Sequence, residues 1–207
     1  MQDYKKLISE FTKEDYETGR INMHIHTSCS DGKESFSDVV KRFSGLKYFA
    51  ITDHNTVSGY LSNDNLPKNL ITGVEFDVWF GYVFCHLLAY GIDVNSEYIK
   101  PFWDNNAEKA DFISRIFNKR NMKKLIEAIH KSGGIAVLAH PACYWALNLD
   151  RLFKNLKNIG LDGVECYYPY QNMRGIVKFH SKNAVIKFAD KYNLIKTGGT
   201  DFHGEVK

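Results

Sequence analysis

Short apolar segments, most of them ending at or within a few residues of a metal-ligand type of residue, recur along the whole of this chain, and that limits how it can fold. They are Ile21 to His26, Tyr48 to Thr52, Leu70 to Glu75, Val83 to Leu88, Ile135 to Ala139, Gly163 to Cys166 and Leu194 to Thr197. Helix-like stretches lie between most of them. Ser35 to Phe43 opens on a Ser35/Asp38 pair of capping-box form. Asp104 to Ser132 carries Phe112, Ile113, Ile116, Phe117, Leu125, Ile126 and Ile129 at helical spacing and ends at Gly133-Gly134. Asp150 to Asn158 stops at Gly160, and Gly175 to Tyr192 precedes the last segment. Strands alternating with helices predict a parallel α/β protein. A barrel brings all the strand ends onto one rim, where an open sheet would scatter them, so a barrel is the expected architecture. Leu70–Glu75 and Val83–Leu88 are close enough to form a hairpin, which allows one antiparallel step.

Three clusters stand at those ends. Met23-His24-Ile25-His26-Thr27-Ser28-Cys29-Ser30-Asp31-Gly32 comes first, then Thr52-Asp53-His54-Asn55-Thr56, then Gly198-Gly199-Thr200-Asp201-Phe202-His203-Gly204. In a strand, residues i and i+2 share a face, so His24 and His26 offer two imidazoles to one ion, and Asp201 and His203 can act likewise. The collected strand-end residues are His24, His26, Asp31, His54, Glu75, His86, His140, Asp201 and His203, which include six of the eight histidines. Imidazoles alone suit one or two borderline ions. Three added carboxylates offset more charge and allow bridging, so two or three divalent ions are expected. His130 and His180 lie on helix patterns and read as ordinary helix histidines.

Composition narrows the remaining choices. The 207 residues suffice for one domain with a core, and a net charge of +3 is too small to argue for nucleic acid by itself. Cys29, Cys85, Cys143 and Cys166 are isolated, which fits reduced thiols better than a disulfide framework or a thiolate zinc site. No apolar run approaches the roughly 18 residues of a membrane span, and the start has no signal-peptide core. A cytoplasmic protein with no membrane contact is expected.

The motifs HIHTSCSDG, ITDHNT, GVEF, FCHLLAYG, AHPA, GVECYYP and GGTDFHG, in this order, resemble those of the PHP (polymerase and histidinol phosphatase) family. The resemblance runs from Ile21 to Gly204. It implies a distorted seven-stranded (β/α)7 TIM-like barrel over residues 21–207, preceded by an N-terminal extension, residues 1–20. It also implies up to three divalent metal ions, manganese, zinc or iron. By motif the first ion falls to His24, His26, Glu75 and Asp201, and the second to Asp31 and His54 with Glu75 bridging. The third falls to His86, His140 and His203. The implied activity is that of a metal-dependent phosphoesterase hydrolysing a phosphomonoester of a small molecule or nucleotide. Its nucleophile would be a hydroxide held among Glu75, Asp201, His24 and His26. Asp53 is read as orienting His54 or as capping a turn.

Substrate contacts are assigned more thinly. Arg115, Lys119, Arg120, Lys123, Lys124 and Lys131 face one acid, Glu127, across residues 115–131. Arg115 and Arg120 are the phosphate-contact candidates by resemblance, against the alternative of a solvated helix face. Tyr167, Tyr168 and Tyr170 follow a strand end and can stack on a base or bond a phosphate, or simply cover the rim. Lys33 and Asn55 flank the ligand motifs. Two departures from the family's pattern matter. Residues 87–139, between His86 and His140, leave little room for the insertion that caps a nucleotide pocket. The family's final helix has no counterpart in residues 204–207, which predicts either a short member or a piece of a longer protein. In either case the 1–20 segment or a dimer partner is the expected cover for the barrel. Three other readings stay open: a histidinol-phosphatase-like enzyme, a nuclease acting on DNA or RNA ends, and a non-catalytic metal-binding PHP module.

Overall fold

The computed structural model describes residues 2–104, 115–117, 120–170 and 180–204. Seven strands form one sheet in chain order: β1 (Ile21–Asn22), β2 (Tyr48–Ile51), β3 (Leu70–Phe80), β4 (Val83–Tyr90), β5 (Ile135–Leu138), β6 (Gly163–Tyr167) and β7 (Ile195–Gly198). β4 runs antiparallel to both β3 and β5, and every other pairing is parallel. The sheet nearly closes on itself. Beyond β1 the backbone runs beside the segment after β7, with Met23 N–H donating to Gly198 C=O (3.1 Å) and His26 N–H to Phe202 C=O (2.7 Å). The seven apolar segments of the sequence are these seven strands.

The helices are α1 (Tyr4–Ser9), α2 (Lys13–Glu17), α3 (Phe36–Phe43), α4 (Ser58–Leu61), α5 (Met122–Lys131), α6 (Leu149–Asn158) and α7 (Lys182–Lys191). Side-chain oxygens of Ser35, Asn121, Asn148 and Ser181 cap α3, α5, α6 and α7, satisfying backbone N–H groups that a helix start leaves orphaned. Pleating divides the strand side chains between two layers. Phe49, Ile51, Val74, Phe76, Leu87 and Val164 point outward onto Val39, Leu125, Ile126, Phe153, Leu156 and Val185 of the helices. Ile21, Met23, Ala50, Ile71, Leu88, Tyr90, Ile135 and Val137 form a second buried cluster, which is completed by Ile8, Phe11 and Tyr16 of the N-terminal segment. α1 and α2 therefore supply apolar cover for the barrel. Among the described residues no helix is long and apolar enough to cross a membrane.

The local details depart from expectation in three places. The helix expected over Asp104–Ser132 does not run through its second half: Asn121 is extended (φ −88°, ψ 117°) and starts α5 afresh, and residues 105–114, 118 and 119 lie outside the described set. The helix expected from Gly175 begins only after its cap at Ser181, with 171–179 likewise outside that set. β3 outruns Glu75 by five residues to Phe80, because the β3–β4 hairpin pairs out to Phe80 and Val83.

Candidate metal centre

The ligand-type residues converge because each sits where its strand reaches the same end of the barrel. His24 and His26 follow β1, and Asp53 and His54 follow β2. Glu75 and Asp77 lie within β3, His140 follows β5, Glu165 lies in β6, and Asp201 and His203 follow β7. β4 is antiparallel, so His86, near its start, reaches the same rim. His140 (φ 22°) and Asp201 (φ 53°) adopt left-handed backbone, which costs on the order of 1 kcal/mol each and collects at functional sites. Gly199 passes so close to the segment that follows β1 that a Cβ there would lie 2.5 Å from the His24 backbone nitrogen. Asp53 secures the first loop rather than orienting His54: its carboxylate accepts from Thr27 N–H (2.7 Å), Thr27 Oγ1 (2.7 Å) and Ser30 Oγ (2.7 Å).

The donor atoms fall into groups. Glu75 Oε2 stands 3.1 Å from His24 Nε2 and 3.2 Å from His26 Nε2, while Asp201 Oδ1 stands 3.3 and 3.1 Å from the same two nitrogens. The other Glu75 oxygen, Oε1, lies 3.0 Å from His86 Nδ1 and 3.2 Å from His140 Nε2. Asp31 lies 3.6 Å from His54 Nε2 and 3.3 Å from His203 Nε2. His203 thus stands with Asp31 and His54, and not with His86 and His140, where the motif resemblance puts it. A further group is His54, Asp77 and His86. Donors that share an ion at about 2.1 Å lie about 3.0–3.4 Å apart, the spacing seen across Glu75. His26 Nδ1 is buried without a hydrogen-bond partner. The donor set of imidazoles and carboxylates therefore fits divalent ions.

Electrostatics agree. Burial disfavours the charged form of His24, but Glu165, Glu75 and Asp201 outweigh it and hold the imidazole well above its ordinary value. Burial likewise opposes charge on His26, yet its hydrogen bonds to Asp201 and Glu75 raise it to about 9. Burial pushes Glu75 up, and the surrounding His24, His54 and His86 with the bond to His140 bring it well below the usual carboxylate range. Such a concentration of buried negative charge holds cations, whether protons or metal ions, in competition.

Two acids that the sequence reading did not single out stand behind the ligands. Glu165 Oε1 lies 3.0 Å from His24 Nδ1, and Oε2 accepts from His140 N–H (2.9 Å). Asp77 Oδ1 lies 3.2 Å from His86 Nε2 and 3.5 Å from His54 Nδ1. Asn55 brackets Asp77, donating from its amide to Oδ2 and accepting from Asp77 N–H (3.0 Å).

The substrate-contact candidates separate. Arg115 reaches the centre: it donates to Asp77 from Nε (2.8 Å) and Nη2 (3.0 Å), and to Asp31 from Nη1 (3.0 Å). Arg120 turns to the backbone, donating to Phe102 C=O (2.8 Å) and Asp77 C=O (3.4 Å). Tyr167 stacks on Tyr16 (5.4 Å between centroids) under Lys182. Its neighbour Tyr168, on the opposite face of the chain, is the tyrosine at the centre, donating to Asp201 Oδ2 (2.8 Å). Lys33 meets the site only through its backbone N–H, which donates to His203 C=O. His130 pairs with Asp162 (2.7 Å) and His180 with Ala146 C=O (2.6 Å), both away from the centre. All four cysteines are described and none forms a disulfide.

No family model matches the chain. Among curated proteins it is similar to a Methanocaldococcus jannaschii protein of no stated activity, 28% identical over 182 residues, 81% of this chain and 92% of that one. It is 34% identical over 80 residues to the phosphoribosyl 1,2-cyclic phosphate 1,2-diphosphodiesterase of Eggerthella lenta, 39% of this chain but 27% of that enzyme. A 5′-3′ exoribonuclease of Haemophilus influenzae is 23% identical over 90% of each chain. Among solved structures, a Bifidobacterium adolescentis protein assigned as a metal-dependent phosphoesterase superposes with a TM-score of 0.68 at 21% identity, over 90% of this chain and 88% of that one. A two-domain Bacteroides vulgatus protein containing a PHP-like metal-dependent phosphoesterase superposes at 0.54 and 16% identity, over 88% of this chain and 51% of that one. The fold is that of the PHP-type metal-dependent phosphoesterases.

Proposed function

We propose that this chain is a metal-dependent hydrolase that cleaves a phosphomonoester of a small molecule or nucleotide at a three-ion centre. The observation that carries the reading is Glu75, whose Oε2 faces His24, His26 and His54 while its Oε1 faces His86 and His140. His24, His26, Glu75 and Asp201 would hold one ion, Asp31, His54 and His203 a second, and Glu75, His86 and His140 a third. Divalent cations there supply Lewis-acid polarisation of a phosphoryl group and bring the pKa of a water near neutrality. Manganese, zinc and iron all suit this mixed set of donors.

The protein's own groups do the rest. Arg115 presents a guanidinium at the rim, where it orients a phosphoryl group and offsets the charge that builds on its oxygens. Tyr168 steadies Asp201 through its hydroxyl. Burial and the neighbouring Asp201 carboxylate keep that phenol protonated, far above its ordinary value. Glu165 fixes His24 and the backbone of His140.

A nuclease acting on RNA ends is the second reading. It draws on the full-length similarity to an exoribonuclease and on Tyr82 and Trp145, both largely exposed and each a few residues from a candidate ligand. One assay separates the two. Protein loaded with manganese, zinc or iron is offered p-nitrophenyl phosphate, nucleoside mono- and bisphosphates, histidinol phosphate and short oligonucleotides. Turnover on the small esters that a chelator abolishes is the expected result, and preference for oligonucleotides would favour the second reading. Full metal loading without turnover on any of them would overturn both and leave a non-catalytic metal-binding module.

A further inference from the structure

Asp77 is a buried acid at the rim whose carboxylate meets two imidazoles of different ion groups and a guanidinium together, whereas Asp31, which also meets His26, His54 and Arg115, is exposed. Oδ1 lies 3.2 Å from His86 Nε2 and 3.5 Å from His54 Nδ1. These are the nitrogens turned away from Glu75: His86 presents Nδ1 to Glu75 (3.0 Å) and His54 presents Nε2 (3.3 Å). Oδ1 and Oδ2 both accept from Arg115, and Oδ2 accepts from Asn55 as well. The side chain is fully buried, and in such a place a carboxylate persists only when each lone pair has a partner.

Two roles compete for Asp77. As a ligand it would draw an ion to His54 Nδ1 and His86 Nε2. Arg115 argues against this, because its guanidinium forks onto the same carboxylate at 2.8 and 3.0 Å and sets a fixed positive charge where that ion would sit. An imidazole ligating through one nitrogen needs an acceptor for the N–H on the other. His54 Nδ1 is buried without a hydrogen-bond partner, and Asp77 Oδ1 is the carboxylate oxygen beside both it (3.5 Å) and His86 Nε2 (3.2 Å). The Arg115 segment is itself pinned to β3, since Trp79 Nε1 donates to Ile116 C=O (2.6 Å).

We propose that Asp77 is a positioning residue that fixes His54 and His86 in opposite tautomers and holds Arg115 facing the ions, so that cation binding and phosphate binding share one support. The proposal rests on the metal-centre reading above, but not on turnover. His54 carries its proton on Nδ1 and ligates through Nε2. His86 carries its proton on Nε2 and ligates through Nδ1. Asp31 releases Arg115 Nη1 when it turns to its ion, and that N–H then meets a phosphoryl oxygen while the fork on Asp77 stays in place.

The wild-type protein tests the tautomers directly. In long-range proton–nitrogen spectra of the zinc-loaded chain, His54 and His86 are expected to show protons on opposite ring nitrogens. The same ring nitrogen protonated in both would overturn the proposal. Asp77→Asn and Arg115→Met are then titrated with manganese and, once loaded, with inorganic phosphate. Asp77→Asn is expected to weaken manganese binding at two of the three groups by about 10- to 100-fold and to weaken phosphate binding too. Arg115→Met is expected to keep wild-type manganese affinity and lose only phosphate. Wild-type manganese affinity in a folded Asp77→Asn protein would overturn the proposal, as would an Arg115→Met protein that loses metal to the same degree. Opposite tautomers and these affinities in a protein that hydrolyses no phosphoester would sink the proposed activity and leave Asp77's role standing.

Discussion

Glu165 stands directly behind His24, with its Oε1 3.0 Å from Nδ1 while His24 Nε2 faces Glu75 and Asp201. The imidazole is thereby held by one carboxylate and presented to two others. Glu165→Gln keeps an acceptor for His140 N–H but removes the charge behind His24. Metal affinity is expected to fall by about tenfold or more, measured by competition with a chromogenic chelator, while the circular dichroism spectrum stays that of the wild type.

Glu75 is the residue with most to lose. Its two oxygens serve separate groups, so Glu75→Ala is expected to remove metal and phosphoesterase activity together. Elemental analysis of the purified variant alongside the assay checks this. A variant with full metal content and full turnover would show that the grouping of the ligands is wrong.

The N-terminal segment should matter to stability as well as to shape. Ile8 is fully buried against the inner cluster of the barrel. Ile8→Ala removes apolar area and leaves a cavity, which costs about 2–5 kcal/mol. Urea unfolding of the metal-loaded protein reads this as a lower midpoint at an unchanged slope.

One acid outside the centre gives the protein a pH signature. Asp162 accepts from Lys5 Nζ (2.6 Å), His130 Nε2 (2.7 Å) and Ala136 N–H (3.0 Å). Burial pushes its carboxyl up, but these bonds outweigh burial and hold it below its ordinary value. A carboxyl depressed on folding contributes stability that is complete above its unfolded pKa and is lost as pH falls through the folded one. Asp162→Asn should therefore be less stable than the wild type at about pH 7, with the gap closing between about pH 5 and pH 2. A gap that stayed constant in urea unfolding across that range would refute the assignment.

The sequence told much about the barrel and less about who partners whom. Apolar segments ending in ligand types at one rim already implied seven strands, because few other folds gather ends so far apart in the chain. The support around the ligands was harder to read. Asp77 shares the face of Glu75 by the i, i+2 rule, and Glu165 sits in a quoted motif, yet a carboxylate behind a histidine leaves no spacing signal that separates it from a surface acid. Tyr167 and Tyr168 differ by one residue, and only the course of the strand decides which faces inward. Asn121 looks like any polar position in a helical repeat until its side chain turns back to cap Lys124 N–H (3.0 Å).

The groups that meet around Glu75 come from His24 and His26 near the start of the chain and Asp201 near its end. The barrel closes where those regions pair, with His26 N–H on Phe202 C=O. Contacts so distant in sequence form late, because the loop between them must be closed first. The cluster around Glu75 is therefore complete only once that long loop has closed. An ion that binds it stabilises only chains whose two ends have already met, so loading reports on completed folding rather than starting it.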